Sequence, residues 1–126
     1  MKPIARFVLA LLMVTVGVLH FVTPGFFVAI VPAWLPAPLL LVQVSGVAEI
    51  AGGLGVLHPA TRKWAGLGLV ALYVAVFPAN INQAVNHIAV NGQSVPPALL
   101  WGRLLLQPVF IAWAWWCTRP AAAKSL

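Results

Sequence analysis

The sequence predicts an all-α membrane protein, a four-transmembrane-helix bundle with a short interfacial or re-entrant segment between helices 1 and 2. Hydrophobic residues make up 63% of the 126 residues and charged residues only 6%, whereas a soluble domain carries about 25% charged residues. Four apolar runs each approach the roughly 20 helical residues that cross about 30 Å of hydrocarbon. The runs fill most of the chain, so we expect residues 1–126 to form a single transmembrane domain.

The first run, residues 4–22, has Lys2 and Arg6 at its start, a feature that it shares with secretory signal peptides. It lacks a convincing small-residue cleavage site and another apolar run follows at once, so we expect a retained helix. The next segment, TPGFFVAIVPAWLPAP at residues 23–38, is too rich in proline to span and too apolar for a solvated loop. Two interpretations stay open for this segment: a lid over the bundle, or a turn anchored in the lipid interface.

Three further runs, residues 38–57, 64–84 and 97–117, predict the remaining helices. The link between the last two runs, NHIAVNGQSVPP at residues 86–97, is polar and rich in helix breakers. Such a composition is typical of an exposed turn. We therefore expect this connection, unlike the first, to take no part in covering the bundle.

Lysine and arginine are confined to one end of these helices, apart from Arg103. They precede the first helix, fill the second loop and follow the last helix: Lys2, Arg6, Arg62, Lys63, Arg119 and Lys124. Because cytoplasmic loops carry an excess of positive charge, we expect a multi-pass protein of the cell (inner) membrane with both termini cytoplasmic. The net charge of +6 is thereby explained by topology and by anionic headgroups in the lipid bilayer, so no nucleic-acid partner is expected.

Glu49 is the only acidic residue of the chain and lies in the middle of the second predicted helix. A carboxylate at this depth costs about 2.5 to 3.5 kcal/mol unless it is protonated, paired or facing a polar cavity. Small residues three or four positions away share its face, so Glu49 should point into the bundle. Arg103 is the only cation inside a predicted span, and we expect a Glu49 to Arg103 pair, direct or through water. Whether that pair is functional or structural stays open.

Further polar residues fall at the same level of the predicted bundle. Three- and four-residue steps on the third helix align several of them on one face, and the first and fourth helices add others. Together with Glu49 and Arg103 they predict a ligand pocket in the outer half of the bundle. Its expected members are Glu49, Arg103, His20, Asn80, Gln83, His87, Gln107 and Tyr73.

The predicted pocket could support several kinds of ligand or chemistry. His20 and His87 could in principle ligate a haem or a metal with Glu49, but neither has a dedicated ligand spacing, so haem is disfavoured and no metal site is predicted. Cys117 stands alone, which excludes an internal disulfide or a CxxC relay. No catalytic residues can be assigned. A small hydrophobic molecule whose polar head meets Glu49, Asn80 and Arg103 fits the composition best: a quinone, a sterol-like lipid or a lipid tail.

Three stretches of the sequence resemble the DoxX-like family of small four-helix membrane proteins. They are GVLHFVTPGFFVAIVPAWLP, SGVAEIAGGLGVLHPATRKWAGLGLVAL and FPANINQAV, within residues 17–85. The most specific matches are Gly17, His20, Pro32, Pro36, Ser45, Gly46, Glu49, Gly52, Gly53, Pro78, Ala79 and Asn80. The fourth helix matches only by length and hydrophobicity. The resemblance implies a four-helix bundle with a glutamate in helix two.

The same resemblance implies two classes of function. The DoxX name comes from a small subunit of a thiosulfate:quinone oxidoreductase, and other relatives are implicated in membrane redox complexes. It thus implies an accessory subunit of a quinone-linked redox system, or a binder of a small hydrophobic ligand. Related eukaryotic proteins are assembly chaperones for receptors, which implies a non-catalytic interaction protein with a membrane protein partner or a homo-oligomer. Whether the chain is itself an enzyme stays open.

Overall fold

Five helices form the protein in the computed structural model, which describes residues 1–89 and 92–120. Four of them are long: α1 (Lys2–Val22), α3 (Pro38–Leu57), α4 (Arg62–Asn86) and α5 (Pro97–Thr118). The short helix α2 (Pro24–Val28) lies in the connection between α1 and α3. The four long helices are long and apolar enough to cross a membrane. The predicted all-α, four-helix membrane fold is therefore confirmed, and the chain is a multi-pass membrane protein.

Proline sets the start of most of these helices. α1, α2, α3 and α5 each have a proline in the first two helical positions, where its missing N–H has no partner to lose and its fixed φ suits the helix. Pro78 in α4 and Pro108 in α5 lie inside their helices instead. A proline at such a position removes one backbone hydrogen bond and distorts the preceding turn.

The long helices pack in a ring, in the order α1, α3, α4, α5 and back to α1. Consequently α3 and α5 face each other across the bundle and are not neighbours. One end of the bundle, which we call the terminal end, contains the start of α1, the connection from α3 to α4 and the end of α5. We call the opposite end the α2 end. The described core lies towards the terminal end and consists of Leu9, Met13, Val56, Leu69, Tyr73, Ala114 and Cys117.

The closest helix packing joins α1 and α3 and depends on glycine. A Cβ atom added to Gly17 would come within 2.9 Å of the Gly46 carbonyl oxygen, and one added to Gly46 within 3.0 Å of the Gly17 carbonyl oxygen. Gly53 packs in the same way against Met13 and Ala10. The backbones touch because no side chain stands between them, which is the usual mode of close helix association in membranes.

Candidate functional site

A cavity of about 430 Å³ opens inside the α2 end of the bundle. All four long helices contribute to its wall, and Phe27 of α2 and residues of the following connection cover it. Most of the lining is apolar, which suits a hydrophobic molecule. The polar or titratable side chains of the lining are His20, Ser45, Glu49, Tyr73, Asn80, Arg103 and Gln107.

Glu49 lies inside the bundle, as its small-residue neighbours predicted, with only 8% of its surface exposed. Its Oε2 atom lies 3.2 Å from Nδ1 of His20 on α1. That nitrogen is also 2.8 Å from the Val16 carbonyl oxygen. Because a carbonyl can only accept, Nδ1 carries the hydrogen and donates it to Val16. Glu49 Oε2 is thus left in contact with the imidazole but without a hydrogen-bond donor among the described residues.

Arg103 is held from the opposite side of the cavity by α4. Its guanidinium donates to Gln83 Oε1 at 2.6 Å and to Asn80 Oδ1 at 3.0 Å. The Asn80 side-chain amide donates to Gln107 Oε1 at 3.0 Å. Gln107 in turn donates to the backbone carbonyl of Tyr73 at 3.0 Å. A continuous chain of hydrogen bonds therefore fixes the position of the guanidinium.

A backbone carbonyl of α4 also takes part in this chain. Tyr73 lies five residues before the internal proline Pro78, whose missing N–H belongs to the Val74 carbonyl, so the Tyr73 carbonyl accepts from Gln107 as an additional contact. Gln107 of α5, itself buried, supplies the donor. The Tyr73 hydroxyl points to another helix and contacts the Met13 sulfur at 2.6 Å. Sequence reasoning missed the Met13 contact, because a methionine on an apolar face gives no polar signal.

The expected direct pair between Glu49 and Arg103 is wrong. Both side chains line the same cavity, but Glu49 contacts His20 and Arg103 binds α4. The reason is the ring order of the helices: α3 and α5 stand across the bundle, whereas α1 adjoins α3 and α4 adjoins α5. Each charged side chain therefore contacts polar side chains of the helix next to its own.

The short helix α2 covers the cavity through two phenylalanines. The Phe27 ring stacks on the His20 ring, with centroids 3.8 Å apart and planes at 15°. Phe26 packs against Phe27 edge to face and lies 6.0 Å from the Arg103 guanidinium carbon. The connection that follows is tied to α4, because Asn82 donates to the Ile30 carbonyl at 3.0 Å. This segment has the geometry of the lid interpretation.

Two predicted pocket residues do not line the cavity. Gln83 is 1% exposed and accepts a hydrogen bond from Arg103 through Oε1. Its Nε2 atom has no partner in the described part of the chain. His87 is exposed, since α4 ends at Asn86 and His87 adopts a left-handed conformation as its C-cap. His20 and His87 thus do not face each other across the cavity. Within residues 1–89 and 92–120, no group of three His, Cys, Asp or Glu side chains is placed to hold a metal ion.

The cavity presents opposite chemistry on its two sides. Glu49 offers an oxygen that accepts hydrogen bonds. Across the bundle, Arg103 uses one N–H on each terminal nitrogen for its protein partners and retains further N–H donors. A bound molecule can therefore donate to one wall and accept from the other.

The part of the chain that forms the cavity matches a sequence family. A model of a domain family of unknown function (DUF8561) matches residues 9–118, so the chain belongs to this family. The match includes every residue that lines the cavity. No curated protein and no solved structure matches the chain.

Proposed function

We propose that this member of the DUF8561 family binds a small, mainly hydrophobic molecule with a polar head inside the α2 end of its bundle. One observation carries the proposal: the buried Glu49 Oε2, which has no hydrogen-bond donor within residues 1–89 and 92–120, lies at a cavity that is otherwise mostly apolar. A buried carboxylate oxygen without a donor is costly in the protein alone, and a ligand that donates to it recovers that cost. The volume of about 430 Å³ falls in the usual range for small-molecule sites.

The ligand class that fits both walls is a quinone in its reduced form. A hydroquinone ring carries hydroxyl groups at opposite edges, one to donate to Glu49 and one to accept from Arg103. Its isoprenoid tail suits the aliphatic lining. A sterol or a single lipid tail has one polar end and would hydrogen-bond to only one of the two walls.

The cellular role we propose is that of an accessory subunit in a quinone-linked membrane redox system. The DoxX-like resemblance of residues 17–85 supports it, because the name-giving relative is the small subunit of a thiosulfate:quinone oxidoreductase. The distribution of Lys and Arg supports an orientation in the cell (inner) membrane with the terminal end in the cytoplasm. In that orientation the cavity lies in the outer half of the bilayer.

The alternative role, a non-catalytic chaperone that docks other helices on its small-residue faces, is less well supported. Gly53 is packed against α1, and a Cβ atom at Gly52 would strike the Leu69 side chain of α4. These glycines therefore serve contacts within the bundle. A partner helix would have to use other surfaces, such as the exposed small residues Gly68 and Ala71 of α4.

Ligand retention in wild type and Glu49→Gln tests the proposal. Both proteins are purified in mild detergent, incubated with a short-chain benzoquinol such as decylubiquinol under reducing conditions, and measured by native mass spectrometry. We expect one quinol per wild-type chain and at least about tenfold weaker binding to Glu49→Gln, since a hydrogen bond to a charged group contributes about 1.5 to 3 kcal/mol. Organic extraction of the untreated proteins identifies any native ligand.

Gln43→Leu is the matched control. Gln43 is an exposed residue of the same helix and does not line the cavity, so this variant should bind decylubiquinol as the wild type does. Melting temperatures in detergent verify that all three proteins are folded. Equal quinol binding by wild type and Glu49→Gln, or no binding by the wild type, would contradict the proposal.

A further inference from the structure

The terminal end of the bundle carries a group of cations that no acidic side chain neutralises. Glu49 is the only acidic residue of the sequence, and it lines the cavity at the α2 end. The described cations of the terminal end are Lys2, Arg6, Arg62, Lys63 and Arg119. These cations therefore have no acidic side chain beside them among the described residues.

Three of these cations bind backbone carbonyls at the packed ends of α3 and α5. Lys2 donates to the Arg119 carbonyl at 3.0 Å, and Arg6 donates through Nε to the Cys117 carbonyl. Arg62, which begins α4, donates to the carbonyl of Val56, a residue that belongs to the same core cluster as Cys117. All three side chains are half-buried. We call Lys2, Arg6 and Arg62 the basic cluster.

The hydrogen bonds within the protein hold the basic cluster without using all of its donors. Arg62 donates through Nε to the Val56 carbonyl and through Nη2 to the Leu57 carbonyl, which closes the end of α3. Its second terminal nitrogen remains, as do both terminal nitrogens of Arg6 and further N–H groups of Lys2. α1 and α4 also begin at this end with no acidic residue in their first turns, so their positive dipole ends add to the cluster.

The surroundings of the basic cluster are those of a membrane surface. Lys2 lies 5.6 Å from the Trp116 ring centroid, and the Arg119 guanidinium stacks on Trp115 at 3.4 Å. Both tryptophans are about half exposed, at 49% for Trp115 and 46% for Trp116, on the apolar helix α5. Tryptophan at such a position marks the level of lipid headgroups. Lipid headgroups are therefore the anions that lie at the level of the cluster.

We propose that the basic cluster binds the phosphate of an anionic phospholipid headgroup at the terminal end of the bundle. The remaining N–H groups of Arg6, Arg62 and Lys2 donate to the phosphate oxygens, and the acyl chains lie along the exposed apolar surface of α5. Basic pockets between membrane helices commonly hold such headgroups. This site is separate from the cavity and does not depend on the proposed quinone ligand.

Titration with defined lipids tests this proposal on the complete protein. Delipidated protein in mild detergent is titrated with phosphatidylglycerol or phosphatidylcholine, and bound lipid is counted by native mass spectrometry. We expect the wild type to prefer phosphatidylglycerol, and Arg6→Gln and Arg62→Gln each to weaken its binding about fivefold, since each cation near an anionic headgroup contributes about 1 kcal/mol. Lys63→Gln is the matched control because Lys63 is exposed and lies over Trp64, outside the cluster; it should change binding less than twofold.

Each remaining outcome counts against the proposal. Equal wild-type affinity for the two lipids, or an equal loss in Lys63→Gln and in the cluster variants, would show only general attraction to negative charge. If inorganic phosphate displaces the lipid at equal concentration, the basic cluster is a site for a soluble anion and not for a lipid headgroup. If Arg6→Gln fails to fold, Arg6→Lys keeps the charge and should retain most of the lipid preference. Equal wild-type binding of the two lipids overturns the proposal even without a variant.

Discussion

Gly46→Ala should unfold more readily than the wild type, by about 1 to 3 kcal/mol in free energy of unfolding, the usual cost of an extra methyl group at a tight contact. The new Cβ atom would lie 2.8 Å from the His20 Cβ and 3.0 Å from the Gly17 carbonyl oxygen. A side-chain rotation cannot relieve contacts with backbone and Cβ atoms, so α1 and α3 must move apart. Reversible unfolding in mixed detergent micelles measures the change.

Gly68→Ala is the control for this substitution. Gly68 lies in α4, and a Cβ atom added there meets nothing within 4 Å. In a helix, alanine is favoured over glycine by about 0.5 to 1 kcal/mol, so this variant should be as stable as the wild type or slightly more stable. If the two variants behave alike, the close contact of α1 with α3 does not exist as described.

The same displacement should affect the candidate site. Gly46 packs against His20, whose ring contacts Glu49 and stacks on Phe27 of the cover. Separation of α1 from α3 therefore moves Glu49 away from His20 and loosens α2. We expect Gly46→Ala to bind decylubiquinol more weakly than Gly68→Ala at a temperature where both are folded.

The helices were largely predictable because their signals are local. Residues 38–57 were predicted and α3 spans Pro38–Leu57; residues 97–117 were predicted and α5 spans Pro97–Thr118. Prolines mark both starts, and apolar side chains extend to both ends. α4 runs two residues further than predicted at each end, over Arg62–Asn86. Hydropathy underestimates such a helix because polar residues beyond the hydrocarbon can continue it.

The inward direction of Glu49 was predictable, but its partner was not. The small residues around Glu49 and the cost of a carboxylate in lipid both indicated the interior. Glu49 and Arg103 both line the cavity. The order of helices around the ring is not a property of any single segment, so the choice between His20 and Arg103 could not be made from the sequence. The stack of Phe27 on His20 likewise depends on how α2 folds back.

Arg103 should couple energetically to Gln83 more strongly than to Glu49. The first pair shares a hydrogen bond of 2.6 Å, whereas the second pair stands on helices that face each other across the bundle. In a double-mutant cycle built from Arg103→Met and Gln83→Leu, we expect a coupling free energy of about 1 to 2 kcal/mol, the upper range for hydrogen bonds between membrane helices. The cycle built from Arg103→Met and Glu49→Gln should give a smaller value.

The single variants sharpen this comparison, because Arg103→Met has two opposing effects. It removes a charge whose insertion costs about 2.5 to 3.5 kcal/mol. It also leaves the buried Gln83 amide without a donor for its oxygen, and the Nε2 atom of this amide already has no partner among the residues that the structure describes. The double variant with Gln83→Leu removes both the charge and the unpaired amide, so it should be more stable than Arg103→Met alone. Unfolding of the four proteins in mixed micelles gives the cycle. A larger coupling with Glu49 than with Gln83 would restore the ion pair expected from the sequence and contradict the helix order of the bundle.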